Sequence, residues 1–240
     1  MNNRIQTFII QFENKISFAD IPQLRSGILK SMQYNANVLF HNHNNEESLR
    51  YAYPLIQYKR INGKAAIVCM NEGVNVIGEY LSSGLREIEI NNTSIKLAIE
   101  NAIPRIITAQ VWDSTFKYKI NNWLALNSKN YKSYIEQEGS AERIIFLEKI
   151  LTGNILSFFK GAGINVNRNI ECKILSINQT RLHTFKKTKL MAFGVTFKCN
   201  ATLPDYIGLG RHVSVGFGTV IKEKSKTTNL NTEPGTNTTI

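Results

Sequence analysis

Asn62 and Gly63 form the two-residue sequence that most strongly specifies a tight β-hairpin turn. The residues before this pair, 50–61, have the pattern of a β-strand, and residues 65–70 return as a second strand. A hairpin at this position constrains the whole first half of the chain, because every other element must be arranged around it.

A strand and a helix are predicted before the hairpin, and a helix and a strand after it. Phe8, Ile10 and Phe12 alternate with polar residues, as in a half-buried strand. Asp20 can cap the first helix, and Pro22 lies in its first turn. The apolar residues with helical spacing are Ile21, Leu24, Ile28 and Met32 before the hairpin, and Val74, Ile77 and Leu81 after it.

The second helix should stop at Gly84, and residues 85–90 alternate as a fourth strand. Residues 104–107 are expected in the connection to a second unit. The order β-α-β-β-α-β is that of a ferredoxin-like unit. Such a unit has an antiparallel sheet with helices on one face, so the other face should be free to bind a ligand.

The second half has the features of a second, degraded ferredoxin-like unit. Phe116, Tyr118 and Ile120 alternate as a strand, and Ser140 can cap a long helix that Gly161 or Gly163 ends. Its core stripe is Ile144, Leu147, Leu151, Ile155 and Phe158. Further strands are expected at about 169–178, 180–187, 190–199 and 213–222.

We therefore predict an α+β protein with two tandem ferredoxin-like domains and a glycine-rich loop near the C-terminus. The N-terminal domain should span residues 1–110 and the C-terminal domain residues 111–224. Residues 225–240 are rich in Thr and Asn without periodicity, which predicts a disordered tail.

The positive charge of the chain is concentrated in its second half. There are 29 Lys and Arg against 18 Asp and Glu, a net charge of +11. Residues 1–120 carry 13 basic and 10 acidic residues, 13 − 10 = +3, and residues 121–240 carry 16 and 8, 16 − 8 = +8. A concentrated positive field suits a polyanion, with nucleic acid as the first candidate. The alternative is charge that serves only solubility.

Several classes of protein are disfavoured by the composition. The three cysteines, Cys69, Cys172 and Cys199, are far apart and show neither a zinc-binding spacing nor a disulfide framework. No apolar run approaches the roughly 18 residues of a membrane span, and no secretory signal is visible at the N-terminus. We expect a cytoplasmic protein without a metal, a cofactor or a membrane partner.

The segment 204–218 is rich in glycine and could bind phosphate. Gly208, Gly210, Gly216 and Gly218 would let backbone N–H groups approach a phosphate closely, and Arg211, His212 and Ser214 lie between the two glycine pairs. The segment lacks the Lys-Ser/Thr ending of a P-loop and the third glycine of a dinucleotide-binding motif. The alternative interpretation is a tight turn followed by a glycine-bearing strand.

Two features of the first half could serve RNA chemistry. His41 and His43 lie one residue apart in a polar loop, and an accessible imidazole is the usual proton-transfer group in RNA cleavage. Residues 50–60 alternate aromatic and basic side chains, which can stack bases and pair with phosphates. Lys59 of this strand could stabilise charge on a reacting phosphate. The alternatives are ordinary surface histidines and ordinary tyrosine packing.

Together, these features resemble the CRISPR-associated endoribonucleases that cut repeat transcripts into guide RNAs (the Cas-six family, in the repeat-associated RNA-binding superfamily). The most specific match is Gly208–Gly218, and the segments 40–43, 53–59, 123–127 and 151–157 fit one branch of the family. The resemblance implies metal-independent cleavage by 2′-hydroxyl attack, which leaves a cyclic phosphate and a 5′-hydroxyl. Other Cas proteins and a second copy of the chain are possible partners.

The resemblance also assigns roles to residues. The catalytic histidine falls at His41 or His43, Lys59 is the candidate for charge stabilisation, and Tyr34 is a weaker candidate for a helix-borne tyrosine. The glycine-rich segment and the basic residues Arg181, Lys186, Lys187 and Lys189 would hold the RNA. Two rival functions stay open: a non-catalytic guide-RNA-binding subunit of the same architecture, and a basic protein-interaction module unrelated to RNA.

Overall fold

The computed structural model describes residues 3–31, 53–82, 84, 87–185 and 187–223. Each half of the chain forms one four-stranded antiparallel sheet. The expected α+β architecture of two tandem ferredoxin-like units is confirmed. In these ranges no helix is long and apolar enough to cross a membrane.

The first half has the strand order β2-β3-β1-β6, as a ferredoxin-like unit does. Its elements are β1 (Arg4–Lys15), α1 (Ile21–Ser31), β2 (Ile56–Ile61), β3 (Lys64–Met70), α2 (Glu72–Ser82), β4 (Glu87–Ile90), β5 (Thr93–Lys96) and β6 (Ile99–Thr108). Asn62 and Gly63 both have positive φ angles, 51° and 85°, as the two-residue turn between β2 and β3 requires.

The fourth strand of this sheet differs from the sequence-based expectation. Among the described residues, 87–90 pair with β5 alone, in a separate two-stranded hairpin, and β6 takes the place beside β1. The prediction of a connection at 104–107 was therefore wrong, because these residues lie inside β6. Pro104 is tolerated there because β6 is an edge strand, where a missing N–H group costs no ladder hydrogen bond.

The second half repeats the same strand order as β10-β7-β9-β8. Its elements are β7 (Val111–Trp123), α3 (Ser128–Ile135), α4 (Ser140–Gly161), β8 (Cys172–Phe185), β9 (Thr188–Ala201) and β10 (Thr219–Lys222). The glycine-rich segment occupies the position of the second helix between β9 and β10. The long helix α4 buries Leu147, Leu151, Ile155 and Phe158, as its spacing predicted.

Three details of the second half were predicted incorrectly. The two strands expected at 169–178 and 180–187 are the single strand β8, whose register shifts near Ser176 and Gln179 mark bulges. The last strand begins at Thr219 rather than at 213. Helix α3 was missed, although Asn127 caps it by accepting a hydrogen bond from the backbone N–H of Asn130 at 2.8 Å.

The sheet face opposite helices α1 and α2, expected to be free, is partly covered by the second half of the chain. Ile5 and Met70 join the core built mainly from C-terminal residues. Ile9 and Val68 are buried, and Tyr206 packs against the cluster that contains them. The two halves therefore share apolar contacts, and only part of this face is left open to a ligand.

Candidate nucleic-acid interface

The glycine-rich segment, residues 204–218, packs along the free edge of β2. The backbone N–H of Tyr58 donates to the carbonyl oxygen of Ser214 at 2.9 Å, and Tyr58 forms a parallel bridge with Val215. Strand β2 is at the edge of its sheet, so this contact satisfies backbone groups that would otherwise be unpaired. The segment is thereby attached to the N-terminal half of the chain.

Three side chains before and within β2 bind the same segment. The Tyr53 hydroxyl donates to the Gly208 carbonyl oxygen at 2.7 Å, and the Gln57 Oε1 atom accepts from the Gly208 N–H at 2.9 Å. Lys59 Nζ donates to the Val213 carbonyl oxygen at 3.1 Å. Tyr53, Gln57 and Lys59 therefore all face the protein.

This strand is not an open surface for stacking bases. Gln57 and Lys59 are fully buried, and Tyr58 is 1% exposed. Arg60 alone is exposed among residues 56–61, and its Nε atom donates to the Ile16 carbonyl oxygen. The described part of this strand fits the alternative interpretation, in which its tyrosines are packed inside the protein.

Lys59 is buried, whereas the sequence predicted a lysine that could reach a reacting phosphate. Burial lowers its pKa to about 7, because the charged ammonium loses its hydration. A lysine that stabilises charge on a phosphate needs an open path to the RNA, whereas Lys59 Nζ lies beneath the glycine-rich segment. Its placement favours a role in holding that segment.

The glycines of the segment mostly allow close approach to protein atoms. A Cβ atom at Gly208 would lie 2.5 Å from the Val213 side chain, and one at Gly218 would lie 1.9 Å from the Leu209 carbonyl oxygen. Gly210 and Gly216 have φ angles of 94° and 93°, which few other residues adopt. The N–H groups of Gly208 and Gly218 already donate to Gln57 and to the Asn122 carbonyl oxygen, so in this conformation neither is open to a phosphate.

The polar residues between the glycine pairs are closer to the surface. Arg211 is exposed, and His212 and Ser214 are half-buried. The Arg211 Nη1 atom donates to the Leu126 carbonyl oxygen at 3.0 Å, and the Arg211 backbone N–H donates to that of Leu124. These bonds hold Arg211 against the chain that follows β7 and leave part of its guanidinium accessible.

The turn end of the β8–β9 hairpin lies against the glycine-rich segment through aromatic rings. The ring centroids of Phe185 and His212 are 4.6 Å apart, and those of Phe185 and Phe217 are 5.8 Å apart. The ring centroid of His183 lies 5.7 Å from that of Phe217 and 5.7 Å from that of Phe18. Burial and the nearby Arg181 lower the pKa of His183, and a neutral imidazole suits this apolar surrounding.

These contacts bring two predicted RNA-binding regions together. Arg181, Lys187 and Lys189 are exposed on the β8–β9 hairpin, and Arg211 is exposed on the adjacent segment. No carboxylate in the described ranges forms an ion pair with any of the four. We call these four residues the basic surface. Their charge is available to an anionic partner.

The remaining predicted site residues lie outside the described residues. These are Tyr34, His41, His43 and Lys186. The described chain resumes at Tyr53, beside Gly208. Within the described ranges no three His, Cys, Asp or Glu side chains form a group that could hold a metal ion. Metal independence and the catalytic assignment therefore stay predictions.

Sequence reasoning missed the ring contacts that join the hairpin to the segment. Phe18, Phe185 and Phe217 are far apart in sequence, so no local pattern indicates that their rings meet. One signal was present in the sequence. The chain has only four histidines, and two of them lie in regions predicted to bind RNA, His183 among the basic residues and His212 in the glycine-rich segment.

Both halves of the chain match models of a known protein family. Residues 3–105 match the family model of the Cas6b N-terminal domain, and residues 110–223 match that of the Cas6b C-terminal domain. An uncharacterized protein of Methanocaldococcus jannaschii is 34% identical over 149 residues, which cover 61% of this chain and 98% of that protein.

Two solved structures are similar over nearly the whole chain. A crystal structure of Cas6b superposes with a TM-score of 0.83 at 28% identity, covering 92% of this chain and 100% of that one. A crystal structure of the CRISPR RNA processing endoribonuclease Cas6b superposes with a TM-score of 0.71 at 26% identity, with the same coverage.

Proposed function

Because the chain belongs to the Cas6b family, we propose that it is an endoribonuclease that cuts CRISPR repeat RNA in a precursor transcript to release guide RNAs. The observation that carries this proposal beyond family membership is the basic surface. It consists of four exposed cations on two parts of the chain that ring contacts join, and none of the four pairs with a carboxylate in the described ranges. Such a field binds a phosphate backbone and leaves the chemistry to other residues.

The proposed reaction is an internal transesterification. The 2′-hydroxyl oxygen attacks the adjacent phosphorus, the P–O5′ bond breaks, and the products end in a 2′,3′-cyclic phosphate and a 5′-hydroxyl. One group must remove the 2′-hydroxyl proton and another must protonate the leaving 5′ oxygen. His41 or His43 is our candidate for one of these transfers, and Tyr34 is a weaker candidate for assisting it.

The basic surface and the glycine-rich segment are proposed to position the RNA. Arg181, Lys187, Lys189 and Arg211, with Lys186, supply charge. His212 and Ser214 lie beside them, and the glycines shape the segment. In-line alignment of the attacking and leaving oxygens is worth orders of magnitude in rate, so a rigid support for the RNA backbone serves cleavage as well as affinity.

We expect cleavage in the presence of EDTA and a strict requirement for the attacking hydroxyl. A repeat RNA and its analogue with one 2′-deoxy substitution, 5′ of the scissile phosphate, are each incubated with the protein in EDTA. The RNA should be cut and the analogue should be bound but left intact, because it lacks the nucleophile.

Three outcomes would contradict parts of this proposal. Cutting of the deoxy analogue would exclude 2′-hydroxyl attack, and a requirement for added Mg²⁺ would exclude metal independence. Tight binding of both RNAs without any cutting would support the rival function, a guide-RNA-binding subunit without catalysis.

Arg211→Ala should weaken RNA binding and reduce its dependence on salt. Loss of one phosphate contact lowers the slope of log K against log salt concentration by about 1. The slope is measured by titrating a labelled repeat RNA at several salt concentrations.

Two variants control for this experiment. Arg211→Lys keeps the charge and should keep the slope. Arg168→Ala removes another exposed arginine, one that is paired with Asp113, and it should change neither affinity nor slope. An unchanged slope for Arg211→Ala would remove this residue from the proposed RNA contact.

A further inference from the structure

Cys172 and Cys199 face each other across the two strands of the long β8–β9 hairpin. They are direct partners in the register of β8 and β9. The neighbouring pair, Glu171 and Asn200, is joined by a hydrogen bond from the Asn200 N–H to the Glu171 carbonyl oxygen at 3.3 Å. Hydrogen-bonded and non-hydrogen-bonded pairs alternate in an antiparallel ladder. Cys172 and Cys199 therefore occupy a non-hydrogen-bonded pair, where the two backbones are closest.

This position suits a disulfide. Cα atoms of a non-hydrogen-bonded pair are about 4.5 Å apart, and disulfides span Cα separations from about 4.4 Å upward. The side chains of such a pair lie on the same face of the sheet. A bond between the two sulfur atoms would thus need no movement of either strand.

The two thiols also differ in a way that favours a sequential reaction. The interaction with Cys199 lowers the pKa of Cys172, and the same interaction, with burial, raises the pKa of Cys199, whose thiol donates to the Ala201 carbonyl oxygen at 3.4 Å. Cys172 is 7% exposed and is the first residue of the edge strand β8, whereas Cys199 is fully buried in β9. The thiolate is the reactive form of cysteine, so the more accessible sulfur is also the better nucleophile.

We propose that Cys172 and Cys199 form a thiol–disulfide exchange site, which a small-molecule disulfide oxidises to a cross-strand disulfide. The Cys172 thiolate attacks one sulfur of the reagent and releases one thiolate. Cys199 then loses its proton and attacks Cys172 Sγ, which releases the second thiol. The two protein sulfurs are oxidised, and the two reagent sulfurs are reduced.

The disulfide would join the edge strand of the C-terminal sheet to its neighbour and close a loop over residues 172–199. That loop contains the turn end of the hairpin and three of the four residues of the basic surface. Cross-linking should raise the melting temperature by about 5–10 °C, since it restricts the unfolded chain. Cys69 is buried in the other sheet, so it should remain a thiol and serves as an internal reference.

The test is oxidation of the full chain by glutathione disulfide, followed by denaturation and alkylation of free thiols. We expect one alkylated cysteine instead of three, an intact mass lower by two hydrogen atoms, and a peptide that links residues 172 and 199. The rise in melting temperature should disappear on reduction with dithiothreitol.

Matched variants identify the pair. After the same treatment, Cys69→Ser should show no alkylated cysteine, and Cys199→Ser should show no internal disulfide and no rise in melting temperature. Three alkylated cysteines in the wild-type chain at every glutathione disulfide concentration would overturn the proposal. A wild-type chain that stops at a glutathione adduct on Cys172 would overturn it as well.

Discussion

Alanine in place of His41 or His43 is expected to slow cleavage of a repeat RNA while RNA affinity stays unchanged. Proton transfer by a positioned imidazole contributes about 100- to 10,000-fold to the rate, so loss of the residue that performs it should have an effect of that size. Single-turnover cleavage rates measure the chemical step, and a binding titration at the same salt concentration measures affinity.

The two single variants together assign the roles. A large loss in one variant and a small loss in the other would identify a single catalytic histidine. Large losses in both would indicate a base and an acid. Asn42→Ala, between the two histidines, is the matched control and should cut normally. Normal cutting by both single variants and by the double variant would exclude this pair from catalysis.

Unchanged affinity is expected because the positive charge lies elsewhere in the sequence. The half that contains both histidines has a net charge of +3, and the half that contains the basic surface has +8. Phosphate contacts dominate the affinity of proteins for RNA. Binding and cleavage should therefore be separable by mutation, with Arg211→Ala affecting affinity first and the histidine variants affecting rate.

Local signals in the sequence were sufficient for much of the fold. The turn at Asn62 and Gly63 was predicted because type I′ geometry needs two positive φ angles, which this pair adopts readily. The stripe of helix α4 was predicted because one helical face must pack on a sheet. In both cases the information lies within a few residues.

Strand pairing was harder to predict, since alternation does not identify a partner. Residues 87–90 alternate like a sheet strand, yet they form a local hairpin with β5. Strand β6 was missed because Pro104 argues against a strand unless the strand is known to be at an edge. That knowledge depends on where β1 pairs, about one hundred residues earlier.

The candidate site was also hard to predict, because its contacts join residues that are far apart in sequence. Glycines that approach a phosphate and glycines that approach protein atoms look alike in a sequence, and here Gly208 and Gly218 approach protein atoms. Lys59 looked half-exposed because its strand alternates aromatic and basic residues. The residue that accepts its hydrogen bond, Val213, lies 154 positions later, and no local pattern reports that contact.

Lys59→Met should change the pH dependence of stability. Lys59 has a pKa of about 7 in the folded chain against an ordinary value of 10.5. Between these values the unfolded chain holds a proton that the folded chain has released, so the free energy of unfolding of the wild type rises with pH. The rise attributable to Lys59 is about 1.4 kcal/mol per pH unit. Methionine has no titrating group, so this contribution is absent from the variant.

The measurement is urea unfolding of both chains from pH 6 to pH 9. The difference in the free energy of unfolding, wild type minus Lys59→Met, should be nearly constant below pH 7, where the amine is charged in both the folded and the unfolded chain. Above pH 7 this difference should increase steadily. Lys198→Met removes an exposed lysine of strand β9 and should show no such increase. A constant difference for Lys59→Met across the whole range would mean that the buried amine keeps its proton.

A difference in unfolding free energy that rises with pH would also show that the glycine-rich segment covers Lys59 in solution. Lys59 loses its hydration because this segment covers it and supplies the Val213 carbonyl oxygen as acceptor. A detached segment would rehydrate Nζ, restore the ordinary pKa and remove the pH dependence. The titration therefore reports whether, in solution, the segment that carries Arg211 stays attached to β2.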